Sequence, residues 1–230
     1  MLWLAAFIVV FPIVQVLALR FIDPPFSSFM MIRQFQAWGS GDFDFRIAHD
    51  WRDLDQMSRN VPVALIAAED QRFADHSGFD MKAIEKARDS NERGKRIRGG
   101  STITQQTAKN LFLWSGTGVT RWLRKALETW YTFWMELLWP KTRILEMYAN
   151  FAEFGDGVYG AQAAARTWFR KDASRLSSAE AARLAAVLPN PKRYSVARPG
   201  PYVQRRSRAI QRQMRYIGGA GALREVEGRK

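Results

Sequence analysis

The sequence predicts an all-α domain carried on a single N-terminal membrane helix. Three observations point there. Leu2 to Leu19 is an almost unbroken apolar run, apolar residues recur every three or four positions from Val61 onward, and no convincing run of strands is present. The boundaries read as an anchor over 1–20, a membrane-proximal linker region over 21–60 and the main domain over 61–230. With 47% hydrophobic and 13% aromatic residues, a chain of this length can bury a sizeable core. The absence of cysteine excludes a disulfide framework and any thiolate metal site.

The apolar run is interrupted only by Pro12 and Gln15. As a helix of about 1.5 Å rise per residue it spans about 27 Å, close to the hydrocarbon thickness of a bilayer. A cleaved signal peptide is the competing reading, with Val16-Leu17-Ala18 as the cleavage site. The length of the run and the lack of a preceding basic residue favour the anchor. Asp23-Pro24-Pro25-Phe26-Ser27-Ser28 then reads as a stiff exit linker, and the structure of residues 29–60 is left open.

Pro62 suits a first helical turn, followed at helical spacing by Val63, Ile66 and Ala67. Asp80 can cap a second helix with Met81, Ile84 and Ala87 on one side, before a basic, Gly-containing stretch from Asn91 to Gly100. Thr102 and Gln105 stand at capping-box spacing at the next helix start. The longest helix runs from about Thr120 to Trp139 and stops at Pro140, with Leu123, Leu127, Trp130, Trp134 and Leu138 as its apolar repeat. Lys141 to Phe151 follows, with Ile144, Leu145, Tyr148 and Phe151 inward. Ser177 and Glu180 cap a helix ending before Pro189, and a basic helix from near Tyr202 to Ile217 ends at Gly218-Gly219.

A net charge of +13 calls for an anionic partner. Nucleic acid is the simplest such partner on charge alone. Beside a membrane anchor, anionic lipid headgroups and a lipid-linked phosphate substrate explain the charge better, at about 1 kcal/mol per Lys or Arg near the surface.

Three segments carry candidate chemistry. In Ala67-Ala68-Glu69-Asp70-Gln71-Arg72-Phe73-Ala74-Asp75-His76-Ser77-Gly78, two carboxylates close an apolar helix. Desolvation there raises a carboxyl pKa and makes Glu69 a better base, although acidic residues at helix ends are also common on solvated faces. In Arg98-Gly99-Gly100-Ser101-Thr102, glycines lead into a hydroxyl-rich helix start, which is either an anion site or an ordinary capped helix. The spacing is not that of a nucleotide-binding P-loop. In Arg124-Lys125-Ala126-Leu127-Glu128, Arg124 and Glu128 stand at i and i+4, which by itself reads as a helix salt bridge.

Taken together, these segments resemble the family of peptidoglycan glycosyltransferases, and most closely its monofunctional biosynthetic members. The match runs from about Ala67 to Pro199. Glu69-Asp70 with Phe73, His76, Gly78 and Asp80 is similar to the family's first motif, and Gly99 to Gln106 extended by Lys109-Asn110 to its second. Arg124-Lys125 with Glu128 resembles the third, and Arg143 to Asn150 the next, with Ala149 where leucine is usual. Nothing like the Ser-x-x-Lys site of a penicillin-binding domain is present.

The resemblance implies a lysozyme-like helical fold and a bacterial inner-membrane enzyme, anchored by one span, with its catalytic domain on the periplasmic side. The implied reaction polymerises lipid II, transferring the growing strand from undecaprenyl pyrophosphate to an N-acetylglucosamine 4-hydroxyl with inversion, to form β-1,4 bonds. Glu69 is implied to be the base. Lys109, Arg121, Arg124 and Lys125 are implied to receive the pyrophosphate, and Ser101, Gln106 and Asn110 to bond sugar or phosphate. Glu128 is implied as a second catalytic carboxylate that orients those cations or holds a divalent cation, Mg or Mn. Asp70, Phe73 and His76 are implied to support the site. Lipid II, the growing glycan, membrane lipid and other cell-wall synthesis or division proteins are the implied partners, with no nucleic acid and no organic cofactor. A lytic muramidase of similar fold and a non-enzymatic basic membrane-bound protein are the alternatives. The cations argue against the first, because a glycosidase has no pyrophosphate to bind.

Overall fold

A computed structural model describes residues 2–83, 85, 100–116 and 118–229, with side chains from residue 10 onward. Ile84, Ala87 and the basic stretch from Asn91 to Gly99 lie outside the described residues.

The fold is mainly helical, as expected. Helix α1 covers Leu2–Leu19. Its last turns lie on the domain: Val16 is fully buried, Tyr131 donates to Gln15 at 2.6 Å, and Trp139 Nε1 donates to the Val16 carbonyl at 2.6 Å. Val10, Val14 and Leu17 stay about half exposed. Among the described residues no helix is long and apolar enough to cross a membrane.

The stretch whose structure the sequence left open contains α2, Ser28–Gly39, started by Ser27 accepting from the Met30 N–H. Ser28 Oγ donates to the carbonyls of Leu113 and Asn110 at 2.5 and 3.1 Å, at the end of a later helix. Those carbonyls would otherwise be orphaned, so a helix end is satisfied across 82 and 85 positions of chain.

Helix α3, Asn60–Glu69, is apolar all round and correspondingly buried from Val61 to Ala67. Helix α4, Ile103–Phe112, opens on the expected capping box of Thr102 and Gln105. Helix α5, Thr120–Leu138, is followed by α6, Lys141–Phe151, and Pro140 separates them. The inward positions expected on α6 are all buried. On α5 the apolar repeat is only partly the inward face: Leu127, Trp134 and Leu138 pack half-buried against the core. Glu128, Tyr131, Thr132 and Met135 face inward, while Leu123 is 59% exposed.

A small sheet departs from the all-α expectation. β1 (Ala48–His49) pairs in parallel with β3 (Val158–Tyr159), which pairs antiparallel with β2 (Glu153–Gly155). Strands this short leave no readable alternation in the sequence. Helices α7 (Ala161–Phe169), α8 (Ser178–Val187), α9 (Pro201–Tyr216) and α10 (Ala222–Glu227) complete the described chain. The capping box of Ser177 and Glu180 starts α8 as expected. α9 packs on α8 and α3, and α4 lies between α5 and α6.

Gly78 turns the chain between α3 and α4 at φ +79°, and Thr102 Oγ1 donates to its carbonyl at 2.7 Å. A Cβ there would lie 2.6 Å from Thr132 Cγ2 and 2.9 Å from Glu136 Cγ. Left-handed backbone and overpacking add, so Gly78→Ala should cost about 3 kcal/mol. At this chain length that lowers Tm by roughly 6–12 °C in a calorimetric melt.

Candidate active site

Glu69 ends α3 and points into the interior between α4, α6 and α9. Gln106 Nε2 donates to its Oε2 at 3.0 Å, and Arg206 NH2 to its Oε1 at 3.1 Å. Arg206 also reaches the Ala68 carbonyl at 3.3 Å. Tyr148, buried on α6, donates to Gln106 Oε1 at 3.0 Å and fixes that amide so that its N–H faces Glu69. The Glu69 side chain is 15% exposed. Burial pushes its carboxyl above the ordinary range, and Gln106, Arg206 and Lys109 oppose the shift.

Beneath it, Asp70 bridges two segments. Its Oδ1 lies 2.8 Å from His76 Nε2, and its Oδ2 accepts from the Ile103 N–H at 3.0 Å, an otherwise orphaned donor of α4. Phe73 is fully buried. Lys141 Nζ lies 4.5 Å from the Phe73 ring centroid, donates to the His76 carbonyl at 2.6 Å and pairs with Glu136 at 2.9 Å. Burial pulls the Lys141 ammonium down and Glu136 opposes it. Phe73 and His76 therefore sit beneath the site, while Asp70, which also lines an opening beside Glu69, ties the α3 end to the α4 start.

A cleft of about 540 Å³ opens over this floor. Of the candidates named from sequence, it brings together Glu69, Ser101, Gln106, Lys109, Arg121, Arg124, Lys125 and Glu128. Asn110 lies in an adjoining recess of about 220 Å³ that shares Gln106 and Lys109 with it. On the other side of Glu69 a second opening of about 500 Å³ also includes Ser101, so both residues stand between two hollows. Lys109 is partly buried 5.5 Å from the Phe29 ring centroid. Burial lowers its pKa and Glu128 opposes this.

Glu128 is 4% exposed and bracketed by cations, with Arg124 NH1 and Lys125 Nζ each 2.5 Å from one of its oxygens. The salt bridge read from spacing is present, and it lines the cleft. A divalent ion at Glu128 would have to displace both cations, so the donor set does not suit one. Asp70, His76 and Asp80 also come within 4.8 Å of one another. There Asp80 already accepts from Arg72 and from the Ala83 N–H, and Asp70 from Ile103, which leaves a poor metal cage.

Sequence reasoning missed Arg206 and the polar role of Tyr148. Arg206 lies 137 positions from its partner, beyond any local pattern. A signal existed: Val203, Ser207, Ile210 and Met214 mark the inward stripe of α9, and Arg206 falls beside it.

Comparison with known proteins places the chain among relatives. A family model described as Transglycosylase matches residues 40–215. A biosynthetic peptidoglycan transglycosylase of Xanthomonas campestris pv. campestris (strain B100) is 61% identical over 211 residues, 92% of this chain and 85% of that protein. Similarly named proteins of Xanthomonas axonopodis pv. citri (strain 306) and Xylella fastidiosa (strain 9a5c) are 59% and 55% identical, over 85% and 86% of their lengths and 92% of this chain.

Proposed function

The chain belongs to the transglycosylase family and is a peptidoglycan glycosyltransferase that polymerises glycan chains, and from that premise we propose how its cleft performs the transfer. The growing strand enters as a glycosyl pyrophosphate-lipid, and the acceptor is the N-acetylglucosamine 4-hydroxyl of lipid II. Glu69 removes the acceptor proton, the hydroxyl oxygen attacks the anomeric carbon, and the bond to pyrophosphate breaks with inversion. The observation that carries this reading is a desolvated carboxylate beside an excess of positive charge. Among the residues that line the cleft, four cations, Lys109, Arg121, Arg124 and Lys125, stand against two carboxylates, Glu69 and Glu128, with Arg206 behind Glu69 not counted. The surplus of two positive charges suits a leaving pyrophosphate, whose developing charge is best met by fixed cations in a water-poor site.

Glu128 holds Arg124 and Lys125 in position for that group. Ser101, Gln106 and Asn110 supply hydrogen bonds to sugar or phosphate, and the two hollows that meet at Glu69 suit a donor and an acceptor. A muramidase would need neither the cation surplus nor a membrane-linked donor.

A membrane-facing surface fits the same reading. Trp122, Leu123, Phe133 and Leu137 on α5, the helix against which α1 packs, and Phe35 and Trp38 on α2 are exposed. These side chains and the apolar run ahead of them would seat the domain on the periplasmic side of the inner membrane, where lipid II presents its headgroup.

Arg206 is a positioning residue in this scheme. The base must be ionised to work, so activity falls as pH drops through the Glu69 pKa. Burial sets that limb above the ordinary carboxylate range, and Arg206 holds it down. Arg206→Met should therefore shift the acidic limb of kcat/KM to higher pH, while Arg206→Lys restores part of the shift. The check is a pH–rate profile of polymer formation from purified lipid-linked disaccharide pentapeptide; an unmoved limb would remove Arg206 from this role. Polymer formation in the same assay tests the reaction itself.

A further inference from the structure

The positive charge of the chain is unevenly placed. Between residues 181 and 221 there are nine Lys and Arg and no Asp or Glu. This stretch holds most of α8, the following loop and α9, and it borders the catalytic cleft: Leu188 and Pro189 line the cleft, and Arg206 reaches Glu69. While α9 turns Val203, Ser207, Ile210 and Met214 inward, Arg205, Arg208, Arg212 and Arg215 stand exposed. Spacings of three, four and three put these four on one face, in a row about 15 Å long.

Among the described residues none of the four forms an ion pair. Beside the row, a recess of about 240 Å³ between α8 and α9 is lined by Arg183, Gln204, Ser207, Arg208 and Gln211, with no carboxylate among its lining residues. Like charges three and four apart on a helix repel each other, so the row costs α9 stability that an anionic partner would restore.

Two anionic surfaces lie near this enzyme, the bilayer and its own product. Faces that enter a bilayer interface mix cations with large apolar side chains. Such side chains are exposed on α2 and α5, whereas among the described residues α9 exposes one at Tyr216 alone. The product is the better match, because each repeat of a peptide-bearing glycan strand adds carboxylates, and guanidinium forks fit carboxylates.

We infer that the outer face of α9, with the recess at Arg183 and Arg208, is a docking track for the newly made strand, holding the carboxylates of its peptide side chains as it leaves the cleft. This rests on the polymerising reaction proposed above. The track keeps the product beside the catalytic centre between additions.

The test uses the full chain in detergent and uncross-linked glycan strands bearing pentapeptides, alongside the same strands stripped of peptide by an amidase. The wild type should bind peptide-bearing strands at least tenfold tighter than stripped ones, with affinity falling steeply as salt rises. The variant carrying Arg205→Gln, Arg208→Gln, Arg212→Gln and Arg215→Gln should lose that preference, yet bind anionic phospholipid vesicles as the wild type does. Equal binding of both strands by the wild type would overturn the inference. So would a variant that loses vesicle binding and keeps strand binding, which would make this face a membrane contact. If the variant fails to fold, the comparison of the two strands on the wild type decides alone. Strand binding needs no turnover, so failure of the proposed reaction would show separately, as an absence of polymer.

Discussion

Glu69→Gln should lower polymerisation by roughly 10²–10⁴-fold, the usual worth of a positioned general base. The amide fills the same volume, so the loss is chemical rather than structural. Arg206 and Gln106 both donate to the carboxylate, at 3.1 and 3.0 Å. In the variant one of these donors meets the amide NH2 and loses its acceptor, which costs about 1–3 kcal/mol of stability if the group stays buried. The melt should therefore fall by a few degrees while the fold persists. Initial rates of polymer formation at saturating substrate, measured beside circular dichroism, separate the two effects. A rate within threefold of wild type would remove Glu69 from the chemistry.

The second large effect is expected at Lys109. Lys109→Ala should reduce kcat/KM by about 10²–10³-fold, comparable to removing one preorganised contact to a developing anion. Its ammonium is partly desolvated, with its pKa lowered by burial. Among the described residues it forms no ion pair, so its removal strands no buried carboxylate. Melting should change by only about 1 kcal/mol or less. A collapsed melt would instead make Lys109 a structural residue. Lys109→Arg keeps the charge but not its point-like shape, and should recover only part of the rate.

Much of the fold was legible because its signals are local. The helix from Lys141 to Phe151 is bounded by Pro140 and by its own apolar repeat, and it appears with those limits. The capping boxes at Thr102 and Ser177 need only three residues of context. Helix α2 was not legible. Its Ser27 cap is joined by the thioether of Met30 rather than by Glu or Gln, and its docking depends on the carbonyls of Asn110 and Leu113 far along the chain. The facing of α5 was only partly legible: Leu127, Trp134 and Leu138 pack against the core, but the fully buried strip of Glu128, Tyr131, Thr132 and Met135 lies beside them.

The candidate site divides the same way. Motif spacing named the residues that the cleft gathers, since most lie on α3, α4 and α5 within short segments. The contact that clamps Glu69 from α9 joins positions distant in sequence, and only the packing of α9 on α3 brings them together. Pairing between remote helices leaves no periodic trace.

Transfer is proposed to require the ionised form of Glu69. The most direct measurement is the pH–rate profile of the wild type beside the residual activity of Glu69→Gln, with purified lipid-linked disaccharide pentapeptide as substrate. An acidic limb is expected in the wild type, above the ordinary carboxylate range, with a flat profile over the same interval in the variant. The same limb in both proteins would assign the titrating group elsewhere and remove Glu69 from the chemistry.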